Sequence, residues 1–538
     1  MTGLVIPRRA LLKGMGAGAL LLGTGPAIAM TLAAPAWNRT PFTLGVAAGA
    51  PAPDGFVLWT KLAPDPMSAD DATPGGMSGP SVPIAYEVAS DDAMTKIVQR
   101  GTTLADAQYG YSVHQSVRGL KPGREYWYRF SSGAAQSRIG RARTLPGHGA
   151  DKLKFAYFSC SHYEYGYFSP YRHAALEHPD FAVFLGDYIY EYHQKNPEKH
   201  PIVRVHSDSG KEPESLAEYR RRYTQYRLDT DLQLLHANVP ALCTWDDHEV
   251  QNDYAGDRSE DFYDRDRFLK MRAAAYRTYY EFMPLKPVFS QPHGPDMRLY
   301  DRYDFGDLMR VDIIDGRQYR SPQACYGDPK KNEGHGGGGH QETRAACPEL
   351  FDDKRSMIGL KQEKWLFEGL ATSKARWNLI ANDVIMARMK QKTKDGTEAW
   401  WTDAWDGYPA SRARLMQHIA KAKPSNTVAI TGDIHSFWAN ELKADFDNDK
   451  APTIGTELIG TSVSHYGLGA DFAAGLLPNN PHVKFFDSAH RGYVSVDVDK
   501  KRMTARYQTV SDVADPHATL STLKTFVVED GRPGPVEA

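Results

Sequence analysis

Gly186-Asp187 in FAVFLGDYIY and Gly432-Asp433 in AITGDIHSFW each close an apolar run with a carboxylate. Between them lies Thr244-Trp245-Asp246-Asp247-His248-Glu249, with Asn252 and Asp253 just beyond, and upstream stands Phe158-Ser159-Cys160-Ser161-His162. Four clusters of hard oxygen donors, imidazoles and one thiol, each at the end of an apolar run, suit a multinuclear metal centre. The chemistry expected of such a centre is metal-assisted phosphoester hydrolysis, because clustered cations lower the pKa of bound water and neutralise charge building on the phosphoryl oxygens.

Each cluster offers something different. Asp187 ends a buried strand, and its two oxygens can bridge two cations from a rigid element. A Gly-Asp pair alone is more often a turn or a helix N-cap; the company of the other clusters favours metal. Asp246, Asp247, His248 and Glu249 in a row repel one another unless cations are present. Among them His248 is the natural proton donor to a leaving-group oxygen, since imidazole titrates near working pH. Asn252 adds a neutral amide oxygen. Asp433 and His435 stand two residues apart and face one ion if the strand continues. Cys160, if a ligand rather than a free buried cysteine, points to a softer or higher-valent transition metal than an alkaline-earth site takes. The helical pattern at 218–227 sets Tyr219 with Tyr223 and Arg220 with Arg227 near one face. A phenolate suits ferric iron and an Arg suits phosphate, although from spacing alone a solvated basic face is the better account.

Elements must bring these residues together. Strand candidates at 154–159, 181–187, 239–246, 310–315, 377–383, 427–433 and 457–462, with a hairpin at 493–507, alternate with helical patterns at 215–228, 266–282, 360–372 and 411–423. Sheets with helices packed outside place ligands at the carboxyl ends of strands, so the repeated strand-then-Asp ending lets several donors converge. Ahead of them, 37–148 reads as a small β-sandwich of short alternating strands, and Leu120-Lys121-Pro122-Gly123-Arg124-Glu125-Tyr126 resembles the fibronectin III/Ig-like corner in which a Tyr braces a turn. The boundaries are then 1–36 export signal, 37–148 sandwich, 149–512 catalytic domain and 513–538 polar tail.

The chain has 538 residues, too many for one compact domain, and a net charge of −2 without a dense basic run, which argues against nucleic acid as a partner. Arg8-Arg9, a short Gly/Ala-rich apolar stretch and small-residue motifs at Ala27-Ile28-Ala29 and Ala34-Pro35-Ala36 make a twin-arginine signal, which implies the Tat translocon during export and no stable membrane span after cleavage. Cys325 and Cys347 bracket a Gly/His-rich loop and are expected to form a disulfide, contributing about 3 kcal/mol in the chain-entropy view; Cys243 reads as a small buried hydrophobe.

SCSHY, GDYIYEY, YRRRY, WDDHEVQND, WDGYPASRARL and GDIHSFW, in this order after FTLGVAAGAP and VLWTKL, closely resemble the PhoD-like alkaline phosphatases/phosphodiesterases, from residue 41 to 511. The resemblance implies an α/β (α+β) chain with a calcineurin-like four-layer αββα metallophosphatase domain, and Fe3+ with Ca2+ at the active site. It implies Cys160, Asp187 and Tyr223 on the iron side, with Asp187 also bridging to calcium, and Asn252, Asp433 and His435 completing the shell. Tyr219 is the alternative phenol, and Asp246, Asp247 and His248 divide between ligand and acid roles. Ser-Cys-Ser-His and Asp-Asp-His-Glu stand where the wider binuclear phosphatases have Asp-x-His and Gly-Asn-His-Glu, which lowers the odds of a dimanganese or iron-zinc enzyme. The expected activity is hydrolysis of phosphate mono- and diesters outside the cytoplasm for phosphate scavenging. A phospholipase D-like enzyme on the same scaffold is the alternative. An envelope-binding protein with a structural metal is a rival of another class, which a positioned proton donor such as His248 argues against.

Overall fold

The computed structural model describes residues 36–195, 197–207, 210–261, 264–327, 338–448, 450–469 and 475–538. All but the last residue of the expected export signal lies outside them. Alternation explains the core. In the strand Lys152–Phe158, Phe155 and Tyr157 face one side while Ala156 and Phe158 face the other, and both sides are buried. The strands Phe181–Leu185 and Ala241–Thr244 run parallel to it and repeat the pattern. They form the middle of a ten-stranded sheet. On one side lie the antiparallel strands Gly492–Asp499, Arg502–Val510, Leu520–Glu529 and Arg532–Glu537; on the other lie Val46–Ala52, Gly55–Lys61 and Ser112–Val117.

A seven-stranded sheet faces it. Its parallel centre is Met309–Ile313, Trp377–Asn382, Thr427–Thr431 and Thr453–Ile459, flanked by Asp301–Phe305, Phe437–Lys443 and Val483–Asp487. Tyr157, Val183 and Leu185 of the first sheet meet Val311, Leu379 and Ile430 of the second in one apolar cluster. The outer face of the larger sheet is covered by α1 (Ser169–Leu176), α2 (Leu216–Arg227), α3 (Thr230–Asn238) and α4 (Arg265–Phe282), whose Tyr171, Tyr223, Leu235 and Tyr279 pack with Phe158, Phe184 and Cys243. The outer face of the smaller is covered by α5 (Leu360–Thr372) and α6 (Pro409–Ala422), through Leu366, Leu370, Leu415 and Ile419 against Ile380 and Ala429. Local signals start these helices. Ser215 and Glu218 cap each other reciprocally ahead of α2, and Asp264 accepts the N–H groups of Asp266 and Arg267 ahead of α4.

Two sequence expectations need correction. The segment 37–148 is not a sandwich standing apart: its strands Val46–Ala52, Gly55–Lys61 and Ser112–Val117 continue the catalytic sheet, and only Val82–Ala89, Ile97–Ala105, Glu125–Ser132, Ala135–Gln136 and Gly140–Arg143 form a sheet of their own. The junction runs through Gly49, opposite Ala241, where any Cβ would lie 2.5 Å from the Pro284 carbonyl and 2.8 Å from that of Ala241. The expected corner is present: Tyr126 Oη accepts the Lys121 N–H at 3.0 Å. The second correction is at the other end. Residues 513–538 are not a polar tail but carry the hairpin Leu520–Glu529 and Arg532–Glu537, which burys Phe526 and Val528 against the inter-sheet core. Cys325 and Cys347 form the expected disulfide, while Cys160 and Cys243 are buried thiols. Residues 328–337 of the bracketed loop lie outside the described set.

Candidate active site

The parallel strands that end near the junction of the two sheets deliver site residues just past their carboxyl ends. Cys160 follows Lys152–Phe158, Asp187 follows Phe181–Leu185, Asp246 follows Ala241–Thr244, and Asp433 and His435 follow Thr427–Thr431. The strands stop about two residues earlier than their apolar runs predict, because the backbone must turn sharply there. Cys160, Asp187, Asp433 and His435 all have φ between 51° and 65°, the left-handed region that non-glycine residues rarely enter. Holding each there costs of order 1 kcal/mol or more, which surrounding packing must supply. The glycines before the two aspartates answer close approaches. A Cβ on Gly186 would sit 2.4 Å from Asp246 N, and one on Gly432 would sit 2.6 Å from Ser159 Cβ.

The turns gather donor atoms into two groups. One oxygen, nitrogen or sulfur from each of Cys160, Asp187 and His435 lies within 4.8 Å of the others, and the same holds for Asp187, Asp247 and His248. Asp187 belongs to both. Its Oδ2 accepts the Tyr190 hydroxyl at 2.8 Å, and Tyr190 Oη also lies 3.0 Å from His435 Nε2. Its Oδ1 is buried and has no hydrogen-bond partner, as is Asp246 Oδ2. Burial, and then Asp247, Asp246 and Glu249 around it, drive the Asp187 carboxyl far above the ordinary range, against the pull of His248. Burial does the same to Cys160, with Asp187 adding to it, and to Asp246 and Asp433 although Arg317 opposes it. Such crowding of buried carboxylates beside a thiol, with acceptor oxygens left over, fits bound cations: a metal would release the proton from each ligand and satisfy the orphaned oxygens.

His248 is differently placed. Its Nδ1 lies 2.7 Å from Glu191 Oε2, and Glu191 Oε1 accepts the Asn252 N–H at 2.7 Å. Burial disfavours its charged form, yet Asp247, Glu191 and Asp187 outweigh that and hold the imidazole well above its usual pKa. Glu249 ties the neighbouring turns together by accepting Tyr188 N–H at 2.6 Å and Asp246 N–H at 2.9 Å.

Several residues singled out in the sequence stand elsewhere. Tyr223 lies in the helix-side core, parallel to Tyr188 and tilted against Phe282, and its hydroxyl has no hydrogen-bond partner. Tyr219 gives its hydroxyl proton to the Val250 carbonyl at 2.5 Å. The stripe that brings the two tyrosines onto one face is the stripe α2 buries against α4. Arg220 pairs with Glu281 at 2.5 Å, and Arg227 lies over the Trp59 ring and donates to the Leu44 carbonyl, so neither faces the donor groups. Asn252 reaches the site through its backbone, and its side chain bonds Glu260. Other residues enter unannounced. Tyr190 is the phenol at the centre, three residues past Asp187. Arg317, fully buried beyond the strand Met309–Ile313, bonds Asp246 and lies 2.9 Å from Asp403 and 3.6 Å from Asp247. His465 stacks on His435 at 3.8 Å and meets Tyr192 Oη at 2.8 Å. A strand-end Asp followed three residues later by Tyr was the one legible signal among these.

Sheets whose strand ends converge on carboxylates, imidazoles and a thiol define a phosphatase-type hydrolase. Residues 155–507 match the PhoD-like phosphatase family and residues 27–146 match the PhoD-like phosphatase N-terminal domain, so the chain belongs to the PhoD-like phosphatase family. Alkaline phosphatase D of Bacillus subtilis (strain 168) is 40% identical over 508 residues, 93% of this chain and 83% of that one. A solved structure of PhoD matches with a TM-score of 0.85 at 39% identity, covering 94% of this chain and 93% of its own. Among the described residues no helix is long and apolar enough to cross a membrane.

Proposed function

We propose that the chain is an exported alkaline phosphatase/phosphodiesterase, on a calcineurin-like four-layer core behind a fibronectin III/Ig-like N-terminal region, that uses ferric iron and calcium to release phosphate from mono- and diesters for scavenging. The observation that carries this reading is Asp187, a buried carboxylate shared by two donor groups with one oxygen left unpartnered. Cys160, Asp187 and His435, with Tyr190 in place of Tyr223, would hold iron, the thiol and phenol supplying the donors that a ferric ion prefers. Asp187, Asp247 and Asp433 would hold calcium, their oxygens suiting a hard cation. Bound there, the cations supply Lewis-acid charge to the phosphoryl oxygens and acidify water.

The chain's own groups do the rest. Glu191 holds the His248 ring through Nδ1, leaving Nε2 to carry a proton toward the leaving-group oxygen. Arg317 fixes Asp246 and steadies Asp247 without meeting the substrate. Passage through the Tat translocon, inferred from Arg8-Arg9, suits a protein that leaves the cytoplasm folded with its metals. Hydrolysis of p-nitrophenyl phosphate, bis(p-nitrophenyl) phosphate and phosphatidylcholine by one purified sample tests the reading. Turnover of either nitrophenyl ester, best above neutral pH, supports it; cleavage of the phospholipid alone favours the phospholipase D-like alternative, and no turnover of any ester favours a binding protein.

A further inference from the structure

Between the strand Phe181–Leu185 and α2 there is no helix or strand among the described residues, yet this connection delivers Asp187, Tyr190 and Glu191 to the site. A connection of that length keeps one shape only if contacts outside itself hold it. Its anchor is Glu164, 2% exposed, in the turn Tyr163–Tyr165. Glu164 Oε2 accepts the Gln194 N–H at 2.5 Å, Oε1 accepts the His206 N–H at 3.0 Å, and the Glu164 carbonyl accepts the Val203 N–H at 2.8 Å. Two imidazoles come to the same oxygen: His193 Nδ1 at 3.1 Å and His206 Nδ1 at 3.3 Å from Glu164 Oε1. One atom from each of the three side chains lies within 4.8 Å of the others.

Hydrogen bonds alone do not account for this. A carboxylate oxygen offers about two lone-pair directions, and three nitrogens, the His206 amide and the two Nδ1 atoms, crowd Oε1. His206, 2% exposed, is the loser, and its Nδ1 has no hydrogen-bond partner. Its far nitrogen lies 3.4 Å from Tyr226 Oη, and that of His193 lies 3.5 Å from Arg222 Nη2. The His206 contact stands at the limit of a hydrogen bond and does not dictate which nitrogen of that ring carries the proton. Donors around a tetrahedral zinc ion, with bonds of about 2.0–2.1 Å, stand about 3.3 Å apart, close to the 3.1 and 3.3 Å from Glu164 Oε1 to the two imidazoles. Burial pushes His206 down to about 4, so its ring is neutral and has a lone pair to give.

We propose that Glu164, His193 and His206 form a second cation site, separate from the one at Asp187, which takes a zinc-class divalent ion with water completing its shell. Two imidazoles and one carboxylate are the donors such an ion prefers, and the site clips the 193–206 segment to the core behind Tyr190 and Glu191. Equilibrium dialysis of the iron- and calcium-loaded enzyme against micromolar Zn2+, followed by elemental analysis, tests this in wild type, His193→Ala and His206→Ala. The expected result is about one zinc per wild-type chain, lost in both variants. Hydrogen exchange on the wild type supplies a reading that does not depend on the variants folding: zinc slows exchange across 193–206. Equal zinc in wild type and variants, no zinc in the wild type, or exchange in 193–206 indifferent to zinc would each overturn the proposal.

Discussion

Asp187 combines three costs in one residue: a left-handed backbone, full burial and neighbours of its own charge. Residues kept under such strain are usually kept for function, and bound cations would relieve the charge part of it. Asp187→Asn should lose both metals and nearly all turnover, checked by elemental analysis and nitrophenyl phosphate hydrolysis. The two candidate phenols can be told apart. Tyr190→Phe should abolish a phenolate-to-iron absorption band and cut turnover, whereas Tyr223→Phe, which removes a buried hydroxyl without a partner, should keep the band and change stability by no more than about 1 kcal/mol. His248→Ala should retain metal and lose roughly a hundredfold on alkyl esters but far less on nitrophenyl esters, because acid assistance matters most for a basic leaving oxygen. Equal losses on both esters would remove His248 from the acid role.

At the scale of elements, the strands carrying the site were legible because their interiors are apolar on both faces and end in polar residues, as in residues 181–187 and 427–433. Burial on both sides leaves a continuous apolar run that few other contexts produce. The tyrosines of α2 were ambiguous for a physical reason: a stripe at i, i+4 spacing looks alike whether it lines a core or a site, and here it lines the core. The C-terminal hairpin was illegible because an edge pair needs only one apolar face, and Leu520–Glu529 buries fully only Phe526, Val527 and Val528 among polar residues. That hairpin closes the sheet edge over the inter-sheet core. Phe526→Ala should therefore destabilise the protein by about 3–4 kcal/mol, seen as a lowered melting temperature with metal content unchanged.

For the whole molecule, layered sheets under helices make a rigid frame on which the residues past four strand ends meet, and neutral buried histidines elsewhere bear on its stability in acid. His482, 6% exposed, has Nε2 2.7 Å from the Arg388 carbonyl, and burial pushes its pKa down to about 4 in spite of that bond. The unfolded chain, titrating near 6.5, binds the proton first as pH falls. Its contribution is thus complete above about pH 6.5 and is lost as pH drops through about 4, by at most about 3 kcal/mol. Melting temperatures of His482→Gln should fall less than those of wild type between about pH 7 and about pH 4. The central claim is that one site holds iron and calcium together for phosphoester hydrolysis, and elemental analysis of the purified, active protein tests it most directly. The account predicts iron and calcium in the same sample, with turnover of nitrophenyl phosphate that calcium chelation removes and calcium restores. Zinc or manganese as the sole stoichiometric metal of a fully active enzyme would contradict it.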